Sequence, residues 1–197
     1  MVKTIAFESA DRLGKSTQVR RLVERIHECL FEESVAVVIA PDPDEGHSVS
    51  YKIIRAMLKN GTALRFPRLF QFLHFANRMK YQCLVLPHVF ASNDIVIFDR
   101  WALSLYVYGL ATGVDETLIK IWYDRMFKPE WTVILEGLPH HKDQLDSYEA
   151  NDELQRSVRQ LYRLSDERGV IHIDVTGLTE DEVHERICYE LTKKDVL

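Results

Sequence analysis

Five short apolar runs punctuate this chain, with longer stretches of helical spacing between them. The runs are VKTIAFE (2–8), VAVVIAPD (35–42), DIVIFDR (94–100), WTVILE (131–136) and VIHIDV (170–175). Most are continuously apolar rather than alternating, the pattern of strands buried on both faces. Between them, TQVRRLVERIHECL (17–30) sets Val19, Leu22, Val23 and Ile26 at helical spacing, and helical patterns fill roughly 47–60, 67–91 and 101–126. Residues 139–168 are polar and charged with helical tendency, and TEDEVHERICYEL (179–191) closes the chain with Thr179 and Glu182 at capping-box spacing. The expected fold is therefore α/β: a five-stranded, mostly parallel sheet with helices on both faces, in three layers, with the ligand at the carboxyl ends of the strands. No linker or repeat interrupts it, so one domain over residues 1–197 is expected.

Composition narrows the function classes. Hydrophobic residues make up 46% of 197, enough for a packed core. The net charge of −5, with no dominant Lys/Arg block, argues against a nucleic-acid coat or a membrane-surface role. No apolar run approaches the roughly 18 residues of a membrane span, and no signal peptide is read at the start. Cys29, Cys83 and Cys188 stand apart without C-x-x-C or Cys/His ligand spacing, so neither a disulfide framework nor a zinc site is indicated. A reducing cytoplasm is the expected location.

The chemistry starts where the first apolar run meets the first helix. FESADRLGKSTQ (7–18) follows the pattern G-x-x-x-x-G-K-[ST] at Gly14, Lys15 and Ser16, with Ser9 in place of the first glycine. Between a strand and a helix, such a loop turns backbone N–H groups toward an anion at the helix N-terminus. The expected ATP contacts are Ser9, Ala10, Asp11, Arg12, Leu13, Gly14, Lys15, Ser16 and Thr17. Lys15 reaches the outer phosphates and the Ser16 hydroxyl can ligate Mg²⁺. A glycine at position 9 is needed only if the backbone has positive φ or lacks room for a β-carbon. Even at positive φ, serine costs about 1 kcal/mol, so Ser9 is expected to be tolerated.

These residues and four further segments resemble the thymidylate kinase family. ESADRLGKSTQ is similar to that family's loop, in which Asp-Arg precedes the last glycine. LHFANRMKYQ (73–82) resembles its Ala-Asn-Arg helix, FDRWALSLYVYG (98–109) its Asp-Arg-Tyr segment, DSYEANDELQRSVRQLY (146–162) its lid and following helix, and HIDVTGLTEDEVHERI (172–187) its closing strand and helix. The resemblance implies a P-loop NTPase fold with a short lid at about 139–152. It implies Mg-ATP-dependent phosphorylation of a deoxynucleoside monophosphate, dTMP to dTDP foremost, in the supply of dTTP.

Several residue roles follow from the resemblance. Lys15 and Arg12 take the donor phosphates, with Arg12 the charge stabiliser because the lid carries Ser147 at the corresponding position. Asp99 holds Mg²⁺ through water, together with Ser16, and Arg100 grips the acceptor phosphate. Asp11 binds the sugar 3′-hydroxyl with Glu149 assisting, and Tyr108 and Tyr148 crowd out a ribose 2′-hydroxyl. Ser104 belongs to the Asp-Arg segment at the substrate, and Arg78 contacts the base.

Three features depart from the family. His74 stands where relatives usually have a phenylalanine that stacks on thymine; it can stack or hydrogen-bond a base edge, while Phe75 points about 100° away. APDPDEG (40–46) offers Asp42 but no arginine near the acceptor. The lid is short and poor in basic residues. The acceptor thus stays open between dTMP and dUMP or a 5-modified form, with a deoxynucleoside kinase or a non-catalytic nucleotide-binding protein as alternatives. The apolar richness of residues 66–90 and the resemblance imply a homodimer, with no nucleic-acid or membrane partner.

Overall fold

The computed structural model describes residues 2–40, 49–138 and 146–197. The apolar runs form β1 (Lys3–Ser9), β2 (Val35–Ile39), β3 (Ile95–Asp99), β4 (Trp131–Glu136) and β5 (Val170–Asp174). They make one five-stranded sheet in the order β2-β3-β1-β4-β5, every ladder parallel. β1 is therefore central, and the chain winds outward from it in both directions, which opens a crevice at its carboxyl end. The register places Phe7 opposite both Asp99 and Val133, so the loops after β1 and β3 emerge side by side. Ile5, Phe7, Ile97, Phe98, Val133 and Ile134 are all at 0% exposure, which accounts for the continuously apolar strands.

The helices are α1 (Lys15–Cys29), α2 (Val49–Lys59), α3 (Thr62–Arg65), α4 (Pro67–Leu84), α5 (Leu86–Ser92), α6 (Ala102–Ala111), α7 (Glu116–Arg125), α8 (Asp152–Arg163) and α9 (Glu180–Thr192). Two stretches that read as single helices are broken. Residues 67–91 divide at Val85, because Pro87 lacks an N–H and its ring clashes with the carbonyl four residues back; it sits instead in the first turn of α5. Residues 101–126 divide where Gly113 takes φ 77°, and α7 restarts with Asp115 accepting a hydrogen bond from Leu118 N–H at 2.9 Å. Of 139–168, only 152–163 is helical among the described residues, opened by Asn151 accepting from Leu154 N–H at 3.0 Å. The Thr179–Glu182 capping box forms as expected. Asp42 and residues 139–145 of the expected lid lie outside the described residues.

Candidate active site

Ser9 is the last residue of β1, paired with Leu135 of β4, and its φ is not positive. The strand register therefore accepts a β-carbon there, and the conformational penalty considered for serine does not arise. Its Oγ is buried without a hydrogen-bond partner among the described residues. Strain falls further along the loop, at Arg12 (φ 66°) and at Gly14 (φ 75°). A β-carbon on Gly14 would meet nothing within 4 Å, so the glycine answers a backbone conformation rather than a lack of space. Gly14 is also the N-cap of α1, which has no side-chain cap and no acidic residue in its first turn. Whereas α7, α8 and α9 are capped by Asp115, Asn151 and Thr179, the amides at the start of α1 are left to an anion.

Lys15 and Ser16 meet Asp99 from the end of β3. Lys15 Nζ pairs with Asp99 Oδ1, and Ser16 Oγ donates to Asp99 Oδ2 at 2.8 Å. Burial, and secondarily the charge of Arg100, push the Lys15 pKa well below its ordinary value. A hydroxyl and a carboxylate that already touch are the hard oxygen donors that suit Mg²⁺. Among the described residues no group of three or more His, Cys, Asp or Glu side chains could hold a metal.

Beside this pair lies a second, built around Asp11. Its carboxylate accepts from Arg100 Nη2 at 2.5 Å, from Tyr108 OH at 2.8 Å and from Gln155 Nε2 at 2.6 Å. Arg100 itself has φ 65° and donates through Nη1 to Ser9 O at 2.8 Å. Burial works against its charge, but the oxygens of Tyr108, Asp11, Tyr162 and Glu8 outweigh that and raise its pKa. Behind Arg100, the fully buried Glu8 accepts from Trp101 N–H at 2.8 Å and Tyr162 OH at 3.0 Å, and from the Ser104 hydroxyl. β1 thus holds the phosphate loop at its end, while its penultimate carboxylate fixes the start of α6.

The cleft extends from Asp11 and Arg100 to α4, enclosing about 220 Å³. Arg78 and His74, one turn apart on α4, line it and are joined by Arg78 Nη1 to His74 Nδ1 at 3.0 Å. Burial first, then Arg78, depress the His74 pKa well below 6.5, and burial brings Arg78 down to about 10. Phe70 meets the His74 ring edge-on at 4.6 Å between centroids. Phe75 stacks on Trp122 of α7 at 5.5 Å, which confirms that it faces away from the cleft. Tyr148 lies parallel to Tyr108 at 6.1 Å, so the two expected sugar-facing tyrosines are adjacent.

Asp11, Arg100, Ser104, Tyr108, Tyr148, Arg78 and His74 thus line one cleft, and Lys15, Ser16 and Asp99 meet at the adjoining loop and strand end. Arg12 instead reaches toward the segment before α8, donating from Nη2 to Glu149 O at 3.3 Å. The Glu149 carboxylate accepts from Asp146 N–H at 3.3 Å, and burial, then the charge of Asp146, raise its pKa. Sequence reasoning missed Glu8, Gln155, Gln71 and Arg55. A charge inside an otherwise apolar strand was the available signal for Glu8. Gln155 carried none, and Arg55, exposed on α2, lines the cleft only because α2 folds over it.

Comparison with known proteins agrees with this geometry. The family model described as Thymidylate kinase matches residues 7–187. A thymidylate kinase of Burkholderia cenocepacia is 30% identical over 142 residues, 70% of this chain and 66% of its own length, so the match spans just under two thirds of that relative. A probable thymidylate kinase of Methanocaldococcus jannaschii is 28% identical over 187 residues, 93% of this chain and 92% of its own. Among solved structures, the thymidylate kinase of Candida albicans superposes with a TM-score of 0.77 at 21% identity, covering 99% of this chain and 93% of that one. The Ehrlichia chaffeensis thymidylate kinase gives 0.68 at 21% identity, covering 97% and 98%. The parallel sheet, the uncapped loop before α1 and a family match over most of the chain lead to one conclusion: this chain belongs to the thymidylate kinase family.

Proposed function

We propose that the protein transfers the γ-phosphoryl group of ATP to a deoxynucleoside monophosphate, dTMP foremost, giving dTDP and ADP. The observation that supports this most directly is the Arg100 guanidinium, half-buried at the end of β3 in a cleft adjoining the phosphate loop, with the buried Arg78 further along the same cleft. A guanidinium at that place suits an acceptor that carries its own phosphate, which a nucleoside lacks.

In this reading the amides of residues 9–17 cradle the donor phosphates, and Lys15 exchanges Asp99 for the outer phosphates. Mg²⁺, held by Ser16 directly and by Asp99 through water, would neutralise charge on the β- and γ-phosphates. Arg12 lies between the loop and the lid side of the cleft, where it stabilises charge developing on the transferred group. Arg100 directs the acceptor phosphate. Asp11, held by Arg100, Tyr108 and Gln155, accepts the sugar 3′-hydroxyl proton as a hydrogen bond, and Tyr108 with Tyr148 leaves no room for a 2′-hydroxyl. Little covalent chemistry is asked of the protein; positioning and electrostatics carry the step.

The whole chain acts as one kinase domain in the cytoplasm, without a nucleic-acid or membrane partner. Among the described residues no helix is long and apolar enough to cross a membrane. The active form is a homodimer: Leu69 and Phe72 on α4 are 51% and 46% exposed, more apolar surface than a lone solvated helix face needs. A monomer in sedimentation at working concentration would refute the dimer. For the activity, ADP release with Mg-ATP should be stimulated by dTMP and not by thymidine. Stimulation by thymidine alone would replace this reading with a deoxynucleoside kinase.

A further inference from the structure

The far end of the cleft carries polar atoms that the protein itself leaves unmatched. Arg78 is 2% exposed, and its Nε has no hydrogen-bond partner among the described residues; Gln71, also 2% exposed, turns its Nε2 toward the Tyr148 hydroxyl. Both atoms are donors, and both residues line the cleft beside His74. The bond between His74 and Arg78 then fixes the third group. A guanidinium has five N–H donors and no acceptor, so Arg78 Nη1 must donate and His74 Nδ1 must accept at their 3.0 Å separation. An imidazolium has no lone pair to offer, so the ring is neutral, and with Nδ1 accepting, its one proton is on Nε2. The depressed pKa of the partly buried ring agrees.

We infer that His74 is a specificity-determining hydrogen-bond donor of the acceptor subsite: a neutral imidazole, locked by Arg78 as the Nε2–H tautomer, that offers its N–H to a carbonyl oxygen of the substrate base. Arg78 Nε and His74 Nε2 together make this end of the cleft donor-rich. The fitting base presents oxo oxygens, as a 2,4-dioxopyrimidine does. A base with an exocyclic amine there sets donor against donor and leaves buried groups unpaired, which weighs more than a missing attraction. The inference rests on the reading of this cleft as a monophosphate site, and it names the residue and the atom that select the base.

Two measurements test it. First, ¹⁵N-labelled histidine spectra of the free protein, with the His74 signal assigned by its loss in His74→Phe, should show Nδ1 unprotonated and Nε2 protonated at pH 7. A protonated Nδ1 would overturn the tautomer and the inference with it. Second, dissociation constants for dTMP, 2-thio-dTMP and 4-thio-dTMP should be measured on the wild type and on His74→Phe, which keeps an aromatic ring and removes the donor. Sulfur is a weak acceptor, so one thio analogue should bind the wild type about five- to tenfold more weakly than dTMP, and that penalty should vanish in the variant. Equal penalties in the two proteins would overturn the role of His74 while leaving the kinase reading intact. Failure of the wild type to bind any pyrimidine monophosphate would instead overturn the reading of the cleft, and the inference with it.

Discussion

At the sheet end of the cleft the charged groups satisfy one another: Lys15 and Ser16 engage Asp99, and Arg100 engages Asp11 and the Ser9 carbonyl. At the helix end they do not, for Arg78 retains an unpartnered Nε donor and His74 is engaged through one nitrogen. The first arrangement hangs from the ends of β1 and β3, whose ladder fixes Phe7 against Asp99, so its geometry is set before any ligand arrives. The second hangs from one face of α4, and the molecule leaves its last hydrogen bonds to the substrate. In the proposed reading, reaction chemistry sits at the strand ends, where preorganisation matters most, and base selection sits on the helix.

If that division holds, damage at the sheet end should destroy turnover and damage at the helix end should redirect it. The largest effect is expected at Lys15: Lys15→Ala should lower kcat by about 10³-fold or more, with a smaller change in nucleotide affinity. Equal losses in affinity and turnover would show Lys15 to be a ground-state contact only. Next comes Arg100→Ala, which should lower kcat/KM for the acceptor by about 10²-fold, mostly through KM. Thermal unfolding should accompany that assay, because the variant also leaves the half-buried Asp11 without its cation.

A smaller effect concerns His74 and pH. The folded ring keeps a pKa well below 6.5, so the unfolded chain binds a proton there that the folded chain refuses. Its contribution to stability is therefore full above about pH 6.5 and declines as pH falls below it. The stability of wild type relative to His74→Phe, from denaturant melts, should fall between pH 7 and pH 5; a constant difference would contradict the neutral ring. The smallest effect is expected at Ser9. Removing an unpartnered buried hydroxyl by Ser9→Ala should change stability by no more than about 1 kcal/mol, toward greater stability, and leave turnover intact. A large loss of activity would mean that this hydroxyl touches nucleotide.

These differences also explain what was legible in the sequence. Asp99 and Arg100 close an apolar run, Lys15 and Ser16 follow the short loop after another, and chain order alone brings strand ends to one edge of a parallel sheet. Continuous burial of β1 and β3 made those runs conspicuous. Glu8 broke the pattern of β1, but its partners Ser104 and Tyr162 come from distant helices, so its role required the fold. Gln155 could not be read at all: its contact with Asp11 spans 144 positions and leaves no periodic trace. The breaks at Val85 and Thr112 were written in Pro87 and Gly113, yet helical spacing on either side concealed them. His74 was expected at the base and lines the cleft, whereas the position of its proton became legible only once Arg78 was seen against Nδ1.

The measurement that bears most directly on the whole account is a competition assay. Purified protein is given Mg-ATP and an equimolar mixture of dTMP, dUMP, dCMP and thymidine, and the products are read by mass. The account predicts dTDP as the main product, dUDP next and dCDP least, with thymidine unchanged. Conversion of thymidine to dTMP as the main reaction would contradict it, as would preferential formation of dCDP.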